Sequence, residues 1–326
     1  MIAFITGGSG FIGSTLAEAV LAAGGEVQCL VRSPHALKWL QGLPVQLVHG
    51  DLFSEKALAQ ALATATHVFH LAGLTKALTS EEYFRANDVA THTLLKSCAQ
   101  HAHRLKRFVY VSSIAAAGPS LGGEPVREEE APHPISIYGR SKLAGETACS
   151  EFMARLPIVI VRPPVVYGPR DRDVYEYFKQ VKWGIRLRLG FTPRYTSLIH
   201  VHDLVRGLTI AAQHPQAVGE KFFLANAEFY EWSQLGVAIA KAMQRGTVAL
   251  PIPVGVTPAV AAVSTVVAKI THKPALLNFD KVREMRATHW ICSAEKARER
   301  LGFTTILSLE EGLRQTVKWY REQSWL

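Results

Sequence analysis

The sequence is short of several things, and each shortage excludes something. Its 326 residues include only four cysteines, Cys29, Cys98, Cys149 and Cys292, far apart and never in C-x-x-C spacing. A disulfide framework and a cysteine metal knuckle are thereby excluded, and the four read as reduced core thiols of a cytosolic protein. No run of five like charges occurs, so a charged tail is excluded although the formal net charge is +9. Residues 1–100 are nearly neutral, with 6 basic and 7 acidic side chains, and the excess is spread thinly over 101–326. No aromatic-basic pattern for stacking bases accompanies it, so nucleic acid is not an expected partner. The longest uncharged apolar stretch, Val254 to Ala268, is too short to span a bilayer and contains Pro258. No integral membrane segment is expected, and membrane contact is at most peripheral. The N-terminus, MIAFITGGSGFIG, has neither a basic n-region nor a long apolar core and is not read as a signal peptide. Internal repeats are missing too.

What remains is globular. The chain is 48% hydrophobic and 19% charged, and its length allows two domains or one large core with an appendage. Ile2–Thr6, Val27–Val31, Val45–Val48, His67–Leu71, Phe108–Val111 and Ile158–Val161 are short, near-continuous apolar runs. Helical patterns separate them near 11–23, 54–63 and 80–101. Strands that are apolar on both faces, alternating with helices, predict a parallel sheet covered on both sides. Beyond Gly168 the rhythm breaks into a more irregular lobe, with one or two segments, Ser197–Ile210 and Lys221–Leu224, expected to return to the sheet.

Gly7, Gly10 and Gly13 form G-x-x-G-x-x-G between the first strand and the first helix. Gly7 permits the tight turn, Gly10 lets the backbone approach a pyrophosphate, and Gly13 lets helix and strand pack closely. The helix N-terminus then faces the phosphate charge. Within a βαβ unit this predicts dinucleotide binding. NAD binders usually carry an acid about 20 residues further on. Here the second strand ends in CLVRSPHALK, with Arg32 and Ser33 and no acid nearby. A guanidinium suits a 2′-phosphate, so NADP is preferred, with NAD still accepted.

Tyr138 and Lys142 stand at i and i+4, on one helix face. A phenol with a pKa near 10 is a poor acid–base catalyst at neutral pH, and a neighbouring ammonium is expected to favour its charged form. Ser113, closing the strand VYVSS, can polarise a carbonyl or hydroxyl. In this order the motifs resemble the extended branch of the short-chain dehydrogenase/reductase superfamily, over essentially the whole chain: TGGSGFIG (6–13), HGDL with Asp51 and Leu52, HLAG (70–73), Asn87, VSS (111–113), YGRSK (138–142), RPPVVYGP (162–169) and IHVHDL (199–204).

The resemblance implies an α/β Rossmann-type doubly wound parallel sheet with a smaller, interleaved C-terminal substrate lobe. Residues 1–168 plus about 197–225 would form the NAD(P)-binding domain, and 169–196 with 226–326 the lobe. It further implies a catalytic triad of Ser113, Tyr138 and Lys142. Cofactor contacts would come from Gly7, Ser9, Gly10, Phe11, Ile12, Gly13, Arg32, Ser33, Asp51, Leu52, Leu71, Ala72, Gly73, Asn87, Tyr138, Lys142, Pro164 and Val165. Substrate contacts would come from Thr75, Ser113 and Tyr167. Read without the resemblance, His70 is a satisfied strand-end histidine, Asp51 an N-cap-region acid and Asn87 a bridge between helices. His200 and His202 lack a third ligand, so no metal is expected.

Two departures narrow the chemistry within that branch. Sugar-nucleotide members usually carry an Asn where Val165 stands and an arginine where Thr196 stands, although Arg194 is close. Dehydratases need an acid pair where this chain has Ile114-Ala115. What remains resembles the dihydroflavonol-reductase and 3β-hydroxysteroid-dehydrogenase-like group. The expectation is a cytoplasmic oxidoreductase, homodimeric, interconverting a secondary alcohol and a ketone on a fairly apolar small molecule. The alternatives are a sugar-nucleotide 4-epimerase with tightly bound NAD and a non-catalytic NADP-binding regulator. Segment 162–194 carries eight basic residues against three acidic. Most are expected to be solvated, with one or two facing an acidic group on the substrate or cofactor.

Overall fold

The computed structural model describes residues 1–33, 37, 39–259, 261, 262, 264, 271 and 279–326. The first six strands are β1 (Ile2–Thr6), β2 (Glu26–Val31), β3 (Gln46–His49), β4 (His67–His70), β5 (Arg107–Val111) and β6 (Ile158–Arg162). Next come β7 (Val165–Tyr167), β8 (Ile185–Leu189) and β9 (Tyr195–His200), outside the main sheet, before β10 (Lys221–Phe223) returns to it. The sheet is seven-stranded in the order β10-β6-β5-β4-β1-β2-β3, and every pairing is parallel. The strand order reverses between β1 and β4. In doubly wound sheets that switch point, at the carboxyl ends of the strands, opens the ligand crevice.

Helices α1 (Phe11–Ala22), α2 (Glu55–Leu62), α3 (Ser80–Phe84), α4 (Ala90–His101), α5 (Ile114–Ala117), α6 (Ile137–Phe152), α7 (Tyr175–Lys182), α8 (Val201–Gln213) and α9 (Trp232–Met243) follow the strands. On one face of the sheet Ala3, Ile5, Val109 and Val159 pack against Leu16 of α1 and Leu204 of α8. On the other, Phe4, Val68, Phe108 and Ile158 pack against α2, α4 and α6 through Leu58, Leu94 and Cys149. Successive residues of one strand thus serve opposite cores, which is why the runs are apolar without alternation. All four cysteines are buried and unpaired with one another.

Of the two segments expected to rejoin the sheet, Lys221–Phe223 does so. Tyr195–His200 instead pairs with β7, antiparallel with β11 (Phe229–Glu231), and parallel with β13 (His289–Trp290). This strand, YTSLIH, is buried along nearly its whole length with no polar–apolar alternation, so local pattern could not choose between sheets. Strand β12 (Val248–Ile252) forms a separate two-stranded ribbon with β8. The lobe has its own core, in which Tyr167, Phe178, Leu235 and Ile239 meet Leu313, Val317 and Tyr320 of the C-terminal helix Leu309–Glu322. The apolar stretch 254–268 falls partly outside the described residues.

Candidate active site

The glycine loop is compact for steric reasons. Gly7 has φ +73°, and a Cβ there would lie 2.8 Å from the Ala72 nitrogen. A Cβ on Gly13 would lie 2.2 Å from the Gly7 carbonyl oxygen. Neither position accepts a side chain, so β1, α1 and the end of β4 meet backbone to backbone. No side chain caps α1 at Gly10, and no acid occupies its first turn. Its first amides therefore point at the crevice as donors, flanked by half-buried Ser9, Phe11 and Ile12. A dinucleotide pyrophosphate fits this cradle.

Arg32 is exposed at the end of β2, with half-buried Ser33 beside it. Beyond β3, Asp51 Oδ1 accepts from the Phe53 amide at 2.9 Å and from the Ser54 hydroxyl at 2.8 Å. These bonds, Ser54 foremost, hold its carboxyl below the ordinary range, and the Arg32 charge adds to the effect. Asp51 thus organises the turn into α2. Leu52, Leu71 and Ala72 are half-buried and Gly73 is exposed. Beneath them His70 is fully buried, bonded through Nδ1 to Thr6 Oγ1 at 2.7 Å and through Nε2 to Thr91 Oγ1 at 2.9 Å. Burial first, then the Lys142 charge, lowers its pKa to about 3. It is a neutral, satisfied histidine.

Asn87 lies in a π-helical turn, Arg85–Val89, between α3 and α4. Its Oδ1 accepts from the Leu74 amide at 2.9 Å, and its Nδ2 donates to the Leu74 carbonyl and to Ser141 Oγ. The side chain is wholly buried and bridges the loop after β4 to α6. Pro164 is buried, and Val165, half-buried, opens β7.

Ser113, Tyr138 and Lys142 are brought together. Ser113 follows β5 and caps α5, its Oγ accepting from the Ala115 amide at 3.1 Å. Tyr138 stands in the first turn of α6, whose start is capped by Ser136 Oγ accepting from the Gly139 amide at 3.0 Å. Burial pushes the Tyr138 phenol up to about 12; a hydrogen bond from Ser113 works against this, while Glu284, Tyr83 and Asp173 add to it. Lys142 Nζ donates to the Val111 carbonyl at 2.7 Å and lies 4.4 Å from the centroid of the Tyr110 ring. Burial lowers the ammonium to about 8, against the pull of Glu146. Within the chain alone burial outweighs the Ser113 bond at the phenol, and the Lys142 ammonium, expected to favour the phenolate, is turned to the Val111 carbonyl. A Cβ on Gly73 would lie 3.9 Å from Nζ, which places the ammonium on the floor of the crevice.

The two remaining substrate candidates part company. Thr75 is exposed, and its carbonyl accepts from the Tyr83 hydroxyl at 3.3 Å. The Tyr83 ring in turn lies 6.3 Å from that of Tyr138, so Thr75 belongs to the site's rim. Tyr167 is buried in the lobe core, its ring 5.2 Å from His200 and its hydroxyl without a hydrogen-bond partner among the described residues. No cluster of three or more metal-ligating side chains occurs among the described residues.

A model of the NAD dependent epimerase/dehydratase family matches residues 3–225. The chain belongs to this family. Over its whole length it is similar to a ceramide reductase of Caulobacter vibrioides, 30% identical across 99% of this chain and 95% of that protein. A 4-hydroxy-2-methyl-3-oxo-4-farnesyl-3,4-dihydroquinoline-1-oxide ketoreductase of Stigmatella aurantiaca is 32% identical over 69% of this chain and 68% of its own. Among solved structures, a UDP-glucose 4-epimerase of Thermotoga maritima superposes with a TM-score of 0.82 at 22% identity, covering 99% of this chain and 100% of that one. At that identity the likeness establishes the shared fold.

Several residues that shape this epimerase/dehydratase-family site carry no local signal. The helix Phe279–Arg286 lies across the start of α6: Asp280 Oδ2 accepts from the Ile137 amide at 2.5 Å, and Arg283 Nη1 donates to the Ile135 carbonyl at 3.3 Å. Glu284 of the same helix is one of the charges that hold up the phenol. Gly139 and Gly145 let α6 sit close, since a Cβ would meet the Ala115 oxygen at 2.3 Å and the Tyr110 hydroxyl at 2.1 Å respectively. Of the basic residues in 162–194, Arg162, Arg170 and Lys179 pair with the protein's own carboxylates, Glu146, Glu18 and Glu176, rather than being left for a ligand.

Proposed function

We propose that the protein reduces a ketone to a secondary alcohol on a long-chain, lipid-like molecule, with NADPH as the preferred reductant. The observation that carries this reading is the gathering of Ser113, at the end of β5, with Tyr138 and Lys142 on one helix beside the glycine-loop crevice. Burial also holds the Tyr138 phenol up, on the protonated side. A protonated phenol is the competent form for giving a proton to a carbonyl oxygen, whereas alcohol oxidation needs it ionised. The reduced nicotinamide supplies the hydride when bound. Ser113 orients and polarises the substrate carbonyl, Tyr138 delivers the proton as the carbonyl carbon is reduced, and Lys142 holds the nicotinamide ribose. Solvent then reprotonates Tyr138. The exposed Arg32 would receive the 2′-phosphate of NADP.

The substrate class rests on apolar walls and on the relatives. Val165 replaces a polar sugar anchor. Thr196 is buried and donates to the Ser197 carbonyl, while Arg194 is spent on the carbonyls of Leu189, Thr192 and Met285. Neither is left to hold a sugar diphosphate. Similarity to proteins named for the reduction of ceramide and of a farnesylated quinoline ketone supports a lipidic ketone. Purified protein should oxidise NADPH in the presence of a long-chain 3-oxo lipid and leave UDP-glucose untouched. Tightly retained NAD together with interconversion of UDP-sugars would replace this reading by the epimerase one. Tight NADPH binding with no turnover across a broad ketone panel would leave a regulator.

A further inference from the structure

We infer that the outer edge of the substrate lobe docks on an anionic lipid surface. The ribbon β8–β12 pairs Ile185 with Val248, Leu187 with Leu250 and Leu189 with Ile252. Side chains alternate along a strand, so these six share one face. Arg186, between them, turns the other way, its Cδ against Gly236 of α9. The apolar face is therefore the one directed away from the helix layer. Val248 is 73% exposed and Leu250 51%, and the ends of β8 are marked by Trp183 at 80% and Phe191 at 77%.

Charge selects the occupant. Segments 182–194 and 244–259 contain no aspartate or glutamate, but include Lys182, Arg186, Arg188, Arg194 and Arg245. Of these cations Arg186 and Arg194 are engaged within the lobe, while Lys182 and Arg245 are exposed beside the patch. Exposed aromatic and aliphatic side chains next to such cations complement anionic headgroups over a hydrocarbon boundary. A second copy of the same surface would bring like charges together, which disfavours a self-paired interface. The edge is also joined to the catalytic helix. Arg194 donates to the Leu189 carbonyl at the end of the ribbon and to the Met285 carbonyl of the helix Phe279–Arg286, and that helix caps α6 through Asp280. A lipid surface held at this edge would place its molecules beside the framework of the Tyr138 site. The inference does not depend on the reaction proposed above, because its test reads binding alone.

The test is co-sedimentation with vesicles of phosphatidylcholine, with or without phosphatidylglycerol. Wild type should bind the anionic vesicles, weaken with added salt, and bind neutral ones at least about tenfold less. The double variants Trp183→Ser/Phe191→Ser and Lys182→Glu/Arg245→Glu should each lose about tenfold or more. Both should keep the wild-type melting temperature and, on a short water-soluble ketone, whatever turnover wild type shows. Failure of wild type to bind anionic vesicles, or equal binding by the variants, would overturn the inference. So would a wild-type dimer that the Trp183→Ser/Phe191→Ser variant dissociates, since the patch would then be covered by a second copy.

Discussion

Arg162 and Glu146 form a doubly hydrogen-bonded ion pair that is almost completely buried, with Nε to Oε1 at 2.8 Å and Nη2 to Oε2 at 2.6 Å. Glu146 lies one turn beyond Lys142 on α6, Arg162 ends β6, and Ser112, beside Ser113, donates to the same carboxylate at 2.5 Å. One carboxylate thus ties together the strand that carries Ser113, the helix that carries Tyr138 and Lys142, and the neighbouring strand. Removing one member of such a pair strands the other charge away from water, at a cost of about 3–5 kcal/mol. Glu146→Gln should lose about that much stability in urea unfolding, whereas Glu146→Leu/Arg162→Met should lose far less. Equal losses in the two would mean that the pair is not what holds the junction.

The state of the Tyr138 phenol sets the direction of pH dependence. With its pKa pushed up to about 12, it is protonated throughout the neutral range. Alcohol oxidation, which needs the phenolate, should therefore climb as pH rises, by up to about tenfold per unit, while ketone reduction should not. Tyr138→Phe should lower kcat by at least about 100-fold in both directions and leave NADPH affinity nearly unchanged. A variant that kept its turnover would end the assignment.

Lys142 carries a signature in stability. Its folded-state pKa is about 8, against 10.5 for the free side chain. Between those values the unfolded chain binds a proton that the folded chain does not, so the fold gains stability as pH rises through that window. The gain approaches about 1.4 kcal/mol per pH unit. Lys142→Met should abolish turnover and lose this gain, which would be read as a flatter melting-temperature profile on the alkaline side. Parallel profiles for the two proteins would show that the ammonium is not desolvated.

The parts of this site that sequence could reveal are those built from neighbours in the chain. The glycine loop lies between a strand and a helix, Ser113 closes a strand, and Tyr138 and Lys142 share a helix face, so spacing alone brings each to the carboxyl edge of the sheet. The contact between Asp280 and Ile137 joins residues 143 apart, and no periodicity announces it. Glu146 and Arg162 read as ordinary solvated charges until the fold buries them. His70 reads as a satisfied strand-end histidine from the sequence, but its partners, Thr6 and Thr91, lie 64 and 21 residues away and only the fold supplies them. Of the one or two segments expected to return to the sheet, sequence could not say that β10 would and β9 would not, because a buried strand does not encode which sheet it joins.

In the proposed reading, cofactor choice turns on Arg32. Its guanidinium is exposed at the end of β2, close enough to Asp51 for its charge to help keep that carboxylate ionised. Hydrogen bonds to a charged group contribute about 1.5–3 kcal/mol. Replacing Arg32 by Ala should therefore weaken NADPH binding about 10- to 100-fold, by the same energies, and leave NADH within about threefold. Arg32→Asp should go further, since a carboxylate repels the 2′-phosphate and accepts from the 2′-hydroxyl of NAD. Fluorescence titration of stripped protein with both reduced cofactors measures each ratio directly. If wild type bound NADH tenfold more tightly than NADPH, Arg32 would be only a solvated strand-end charge, and weight would move to the reading in which NAD stays bound and is regenerated within each turnover.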